Sequence, residues 1–145
     1  NYERVDFLTK RVHKILGKNL KRKRIGVLGV TFKPNTDDMR DSTSLKMIPY
    51  LCRKGALVSY YDPSGEKNEF KKLINCKFKN SVKENCLKVD LIILLTEWDE
   101  FKLIDFKKVV KKKSFKIYDL RNIYTAEDMK RNKIKYYSIG RPDIN

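Results

Sequence analysis

A chain of 145 residues with 41% hydrophobic side chains is long enough for one domain with a buried core. It holds no run of about 18 apolar residues and no apolar leader, which predicts no membrane association, no signal peptide and a cytoplasmic location. Its formal net charge of +16 points to anionic partners, but Lys and Arg are spread along the chain with no nucleic-acid motif beside them, so solvated lysine faces are expected and specific nucleic-acid binding is not.

In chain order, residues 1–20 place Val5, Leu8, Val12, Ile15 and Leu16 three or four apart, which predicts an amphipathic helix closed near Gly17. That helix begins at Asn1 without an initiator Met or an evident cap. It therefore reads as the tail of a longer helix, and the chain as a fragment whose domain proper spans residues 21–145. Ile25, Val27, Leu28 and Val30 then form an apolar run suited to a strand buried on both faces, and Pro34 forbids further ladder pairing. The loop that follows starts at the strand's carboxyl end, where open α/β sheets bind ligands, and carries two cations, Lys33 and Arg40. An anionic ligand is expected there.

Ser42 or Thr43 can cap a helix running to about residue 54, with Leu45, Ile48, Leu51 and Cys52 facing inward. Pro49 interrupts the pattern and predicts a kink or an irregular first half, at a cost of about 3 kcal/mol. Gly55 ends the helix, and residues 56–61 make a second strand stopped by Asp62-Pro63. A helix over 64–74 and an extended segment over 76–79 come next. Ser81 and Glu84 have capping-box spacing for a short helix, and residues 89–95 form the clearest buried strand. A helix over 105–110, a strand over 115–119, a capped helix over 125–132 and a last strand over 135–139 complete the chain. This alternation predicts an α/β fold: a doubly wound, mostly parallel, Rossmann-like sheet of about six strands with right-handed crossovers. In the order 3-2-1-4-5-6, the first and fourth strands flank the switch point and bring 32–40 beside 96–101.

Several side chains are candidates for chemistry. Lys33 is a mobile point charge suited to a phosphate oxygen, and Arg40 offers a fork for a pyrophosphate or a local pair with Asp37, Asp38 or Asp41. Arg121 follows a strand, again at the carboxyl edge. Asn122 and Tyr124 have weaker claims, and Trp98 reads equally as a stacking surface or a packing anchor, with Glu97 balanced in the same way between binding and structure. His13 stands apart from every motif and reads as a surface residue. Cys52, Cys76 and Cys86 show neither metal-ligand spacing nor the density of a disulfide scaffold, and read as reduced and structural. No Ser-His-Asp set, metal cluster or phosphate-binding glycine loop is present, because Gly26 and Gly29 lie inside the strand. Asp62 stands where dinucleotide binders place a ribose-binding acid, a weak analogy without the glycine turn.

The stretch Gly-Val-Thr-Phe-Lys-Pro-Asn-Thr-Asp-Asp-Met-Arg-Asp-Ser at 29–42 resembles the opening of the C-terminal, UDP-binding domain of the UDP-glucose/GDP-mannose dehydrogenase family. Tyr61-Asp62-Pro63, Leu95-Thr96-Glu97-Trp98-Asp99-Glu100-Phe101 and Tyr118-Asp119-Leu120-Arg121-Asn122, with Tyr136-Tyr137-Ser138-Ile139-Gly140-Arg141 behind it, match that family in order. The resemblance implies that Phe32, Lys33 and Arg121 bind the UDP-sugar and that Arg40 reaches an NAD held mainly by an N-terminal domain. It implies that residues 1–20 end a central connecting helix that contributes to a homodimer. The UDP-glucose type oxidises the sugar's C6 alcohol to a carboxylate with two NAD⁺; relatives acting on UDP-N-acetylmannosamine or GDP-mannose share the lysine and arginine positions. A catalytic cysteine and the NAD fingerprint belong to regions absent from this chain, and no cysteine here matches, so the chain alone is expected to be inactive. A stand-alone nucleotide-binding module is the alternative.

Overall fold

The computed structural model describes residues 2–144, so the expected helix start at Asn1 lies outside the described residues. Helix α1 (Tyr2–Leu16) leads into β1 (Arg24–Leu28), α2 (Ser44–Arg53) and β2 (Leu57–Tyr61); a 3₁₀ turn (Asn68–Phe70), β3 (Cys76–Phe78), α3 (Val82–Cys86) and β4 (Leu91–Leu94) follow. A second 3₁₀ turn (Asp99–Phe101), α4 (Phe106–Val109), β5 (Lys116–Asp119), α5 (Ala126–Arg131) and β6 (Lys135–Ser138) complete it. The six strands form one parallel sheet in the order β3-β2-β1-β4-β5-β6. The two strands with the most continuous apolar sequence, β1 and β4, are neighbours at its centre and are buried on both faces. Register pairs Leu28 with both Tyr61 and Leu94, Leu94 with Asp119, and Asp119 with Ser138, so five strands finish level. One edge therefore collects every loop that leaves them.

Alternation along the strands splits the core in two. Val27, Leu91, Ile93 and Tyr118 pack with Leu8 and Val12 of α1 and Met47, Ile48 and Leu51 of α2. Leu28, Ile92, Leu94 and Ile117 pack on the other face with Cys86 of α3, Phe106 of α4 and Met129 of α5. Each such side chain contributes about 1.5–3 kcal/mol of burial relative to exposure. The α1 backbone is pinned over β5, with the Tyr118 hydroxyl 3.3 Å from the Leu8 carbonyl and Lys116 Nζ donating to Ile15 at 3.1 Å. The chain end covers the β6 edge through a two-bond antiparallel bridge between Tyr136 and Ile144. Among the described residues, no helix is long and apolar enough to cross a membrane.

The expected helix over 64–74 is absent. Gly65 turns left-handed at φ +100° and Lys67 is extended, so only the Asn68–Phe70 turn forms, its Phe70 plugging the core. Helix α2 runs unbroken through Pro49, and its start closes by the tighter i→i−3 pattern, Leu45 to Ser42 and Lys46 to Thr43. Ser42 rather than Thr43 supplies the side chain there, accepting from the Ser44 amide at 3.2 Å. In α3, Ser81 accepts from Glu84 N as the capping box requires, while the Glu84 carboxylate reaches Asn80 N, one residue further out. His13 is not simply a surface side chain: its Nε2 lies 2.7 Å from the Tyr50 hydroxyl, tying α1 to α2.

Candidate functional site

The level carboxyl edge puts the exits of β1 and β4 in direct contact. Gly29 ends β1 at φ +81°, and a Cβ there would lie 2.6 Å from Thr96 Cβ and 2.9 Å from its backbone N and O. Only glycine satisfies both demands. The Thr96 hydroxyl then donates to the Thr31 carbonyl at 2.8 Å, and the Trp98 indole N–H reaches the Thr31 hydroxyl at 3.3 Å. Trp98, half-buried against the second core cluster, is thus a packing anchor with its polar tip satisfied.

Two buried carboxylates shape the loops that sequence motifs single out. Asp62, at the end of β2, accepts from Val30 N at 2.7 Å and Thr31 N at 3.3 Å through Oδ2, while Oδ1 takes Ser64 N and its hydroxyl. Both oxygens are consumed, so the ribose-acid analogy is set aside in favour of a bracket between the first two loops. Asp119, at the end of β5, does the same for the last loop. Its Oδ1 accepts Arg121 N at 3.0 Å, and its Oδ2 accepts Ile123 N, Tyr124 N and the Tyr136 hydroxyl at 2.9, 3.2 and 2.6 Å. Burial and this carboxylate push the Tyr136 hydroxyl far above its ordinary range. From sequence, the only signal for either role was an Asp set between an apolar strand and a polar turn.

The candidate residues converge on the backbone of Phe32. The Phe32 amide donates to the Asp38 carbonyl at 2.9 Å, closing the loop, and the residue is 43% exposed at the surface. Arg121 Nη2 lies 3.4 Å from the Phe32 carbonyl; its Nε donates to Leu95 O at 2.9 Å and sits 3.4 Å from Glu97 Oε2. This one guanidinium spans the exits of β1, β4 and β5, and Glu97 gains a role as its counter-ion. Lys33, next to Phe32, is exposed. Arg40 lies at the outer side of the loop, its side chain 88% exposed, and grips Asp38 with Nε and Nη2 at 3.1 and 3.0 Å. The fork, the Arg40 amide and the nearby Lys33 charge hold the Asp38 carboxyl below its ordinary value. Arg40 thus forms the local pair that the sequence allowed, on the rim of an open hollow of about 510 Å³ shared with Ser64 and Lys67. Asn122, at φ +54°, clasps Ile139 through both its amide atoms, and Tyr124 is buried with its hydroxyl on the Phe101 carbonyl. Both are structural.

Chemically, the edge offers cationic donors at a switch point, held by spent carboxylates, and among the described residues no thiol or imidazole lies beside them. Such donors can receive an anionic group through charge-assisted hydrogen bonds. Residues 26–126 match the model of the UDP-glucose/GDP-mannose dehydrogenase family, UDP binding domain. The chain is 39% identical over 130 residues to UDP-glucose 6-dehydrogenase of Rhizobium meliloti (strain 1021), covering 88% of this chain and 29% of that protein. It is 37% identical over 143 residues to the enzyme of that name from Rickettsia felis, covering 97% of this chain and 32% of the relative. It thus spans about a third of the length of these relatives. Among solved structures, a UDP-glucose dehydrogenase from the archaeon Pyrobaculum islandicum superposes with a TM-score of 0.75 at 26% identity, over 94% of this chain and 29% of that one. An NDP-N-acetyl-D-galactosaminuronic acid dehydrogenase from Methanosarcina mazei Go1, at 23% identity over 96% of this chain and 29% of its own, shares the fold with a TM-score of 0.77. The chain belongs to the UDP-glucose/GDP-mannose dehydrogenase family, through the UDP binding domain of that family.

Proposed function

We propose that this chain is the UDP-sugar-binding part of a UDP-glucose 6-dehydrogenase, which oxidises the C6 alcohol of the sugar to a carboxylate with two NAD⁺ and is homodimeric and cytoplasmic when whole. The observation that carries the reading is Arg121 lying across three strand exits onto the Phe32 carbonyl, which sets a held cation beside the mobile charge of Lys33. Arg121 spends Nε on Leu95 and keeps further guanidinium donors for a diphosphate. Lys33 adds a charge-assisted bond, and the exposed Phe32 ring gives an apolar wall beside it. The names of the relatives matched above favour UDP-glucose over the N-acetylated sugars.

Arg40 is the residue of this chain assigned to NAD. Its exposed fork fits a single phosphate contact, with Asp38 yielding or sharing the guanidinium. Bound NAD⁺ supplies the hydride acceptor; its main cradle and the cysteine nucleophile are assigned to other regions of the whole protein. This chain orients one end of the substrate and stabilises its charge. In the full-length protein, Lys33→Ala and Arg121→Ala are expected to raise KM for the UDP-sugar about tenfold or more, and Arg40→Ala to raise KM for NAD, since each loses a charge-assisted bond to a different ligand. Steady-state kinetics with each ligand varied in turn checks this, and unchanged constants in all three variants overturn the assignment.

A further inference from the structure

The fold brings Cys52 in the last turn of α2 beside Cys76 at the start of the edge strand β3. Cys52 Sγ also lies 4.0 Å from the carbonyl of Asn75, the residue before Cys76. Both are free and partly exposed, and both pack on the margin of the core cluster beneath α2. Cys86 differs. It is wholly buried, and burial pushes its thiol up to about 12. The neighbouring Cys76 thiol holds the Cys52 thiol below its ordinary value, with Arg53 adding to the effect; the neighbouring Cys52 and burial push Cys76 up. The reactive thiolate is therefore Cys52, with Cys76 in reach to resolve it.

We propose that Cys52 and Cys76 form a dithiol modification site that closes to an intramolecular disulfide by exchange with a low-molecular-weight disulfide. The Cys52 thiolate attacks one sulfur of the reagent, making a mixed disulfide and expelling one reagent thiolate. Cys76 gives up its proton and attacks the Cys52 sulfur, making the Cys52–Cys76 bond and expelling the second. The protein loses two protons and two electrons, and the reagent disulfide takes them up as two thiols. The bond closes residues 53–75, with β2 inside the loop, and clamps α2 to an otherwise weakly held three-residue edge strand. Because Cys76 pairs with Val58 near the start of β2, the clamp lies at the amino edge of the sheet, away from Phe32 and Arg121.

The test treats the folded chain with oxidised glutathione and reads intact mass, linked peptides and thermal unfolding. The expected product has lost two hydrogens, yields a peptide linking Cys52 to Cys76, keeps Cys86 free, and unfolds on the order of 10 °C higher. Cys76→Ser is expected to stop at one glutathionyl group on Cys52, and Cys52→Ser to form no internal bond. Phenylarsine oxide, which needs two neighbouring thiols, provides a readout without oxidation and is expected to bind the parent chain at one equivalent and neither variant. Separate glutathione adducts on both cysteines, a disulfide that includes Cys86, or no reaction of the folded parent chain with either reagent would overturn the proposal.

Discussion

Gly29 shows how one atom decides the geometry of the edge. Alanine there must hold a left-handed backbone and push its Cβ into the Thr96 backbone, which has no rotamer with which to escape. Gly29→Ala is expected to cost about 2–4 kcal/mol, read as a lower urea midpoint with unchanged slope. The buried carboxylates act on the same scale. Asp119→Asn turns an amide N–H₂ toward donors whichever way it sits, Arg121 N in place of Oδ1 or Ile123 N, Tyr124 N and the Tyr136 hydroxyl in place of Oδ2, and is expected to cost about 2 kcal/mol or more. Because Arg121 N is one of those donors, the variant should also loosen Arg121. A stability loss below about 0.5 kcal/mol would mean that the Asp119 bracket is not what holds this loop.

At the scale of elements, the loop over 32–41 is closed by the Phe32–Asp38 bond and clipped on the outside by Asp38 and Arg40. The folded Asp38 value lies below the ordinary 3.8. Its favourable pairing is therefore fully present above 3.8 and is lost as pH falls through the lower folded value. Acid is expected to release Arg40 only below pH 3.8, and a side-chain carboxyl titration by NMR that finds Asp38 at or above that value contradicts the clip. Helix α5 depends on Thr125, whose hydroxyl accepts Asp128 N at 3.1 Å, and Thr125→Ala is expected to cost about 1 kcal/mol of chemical-denaturant stability. Sheet order was legible in the sequence because β1 and β4 carry unbroken apolar runs that only the middle of a parallel sheet can bury on both faces. The stretch over 64–74 misled because Phe70 and Leu73 keep helical spacing, while the left-handed Gly65 and the extended Lys67 leave no first turn to propagate. That Lys33, Arg40 and Arg121 leave strands at the sheet's carboxyl edge was legible in the apolar runs that precede them. The brackets of Asp62 and Asp119 were not, since burial and bond partners are set by tertiary contact rather than by local pattern.

Across the whole molecule, the charge of +16 bathes every surface in a weak pull on anions, and specific binding must stand out from it. A second basic surface exists at the opposite edge, where Arg24, Lys77, Lys79 and Lys88 line a hollow of about 460 Å³. The two edges make opposite predictions for where a nucleotide goes. An isolated chain that supplies only part of the contacts should bind UDP weakly, on the order of millimolar, because immobilising the ligand is poorly offset. The deciding measurement is a titration of the isotope-labelled chain with UDP, followed by backbone amide shifts at fixed ionic strength. Saturable shifts centred on residues 29–33, 95–98 and 119–122, abolished by Arg121→Ala, are the result predicted here; shifts centred on Arg24, Lys77, Lys79 and Lys88, or spread over the lysine surface without saturating, would contradict it.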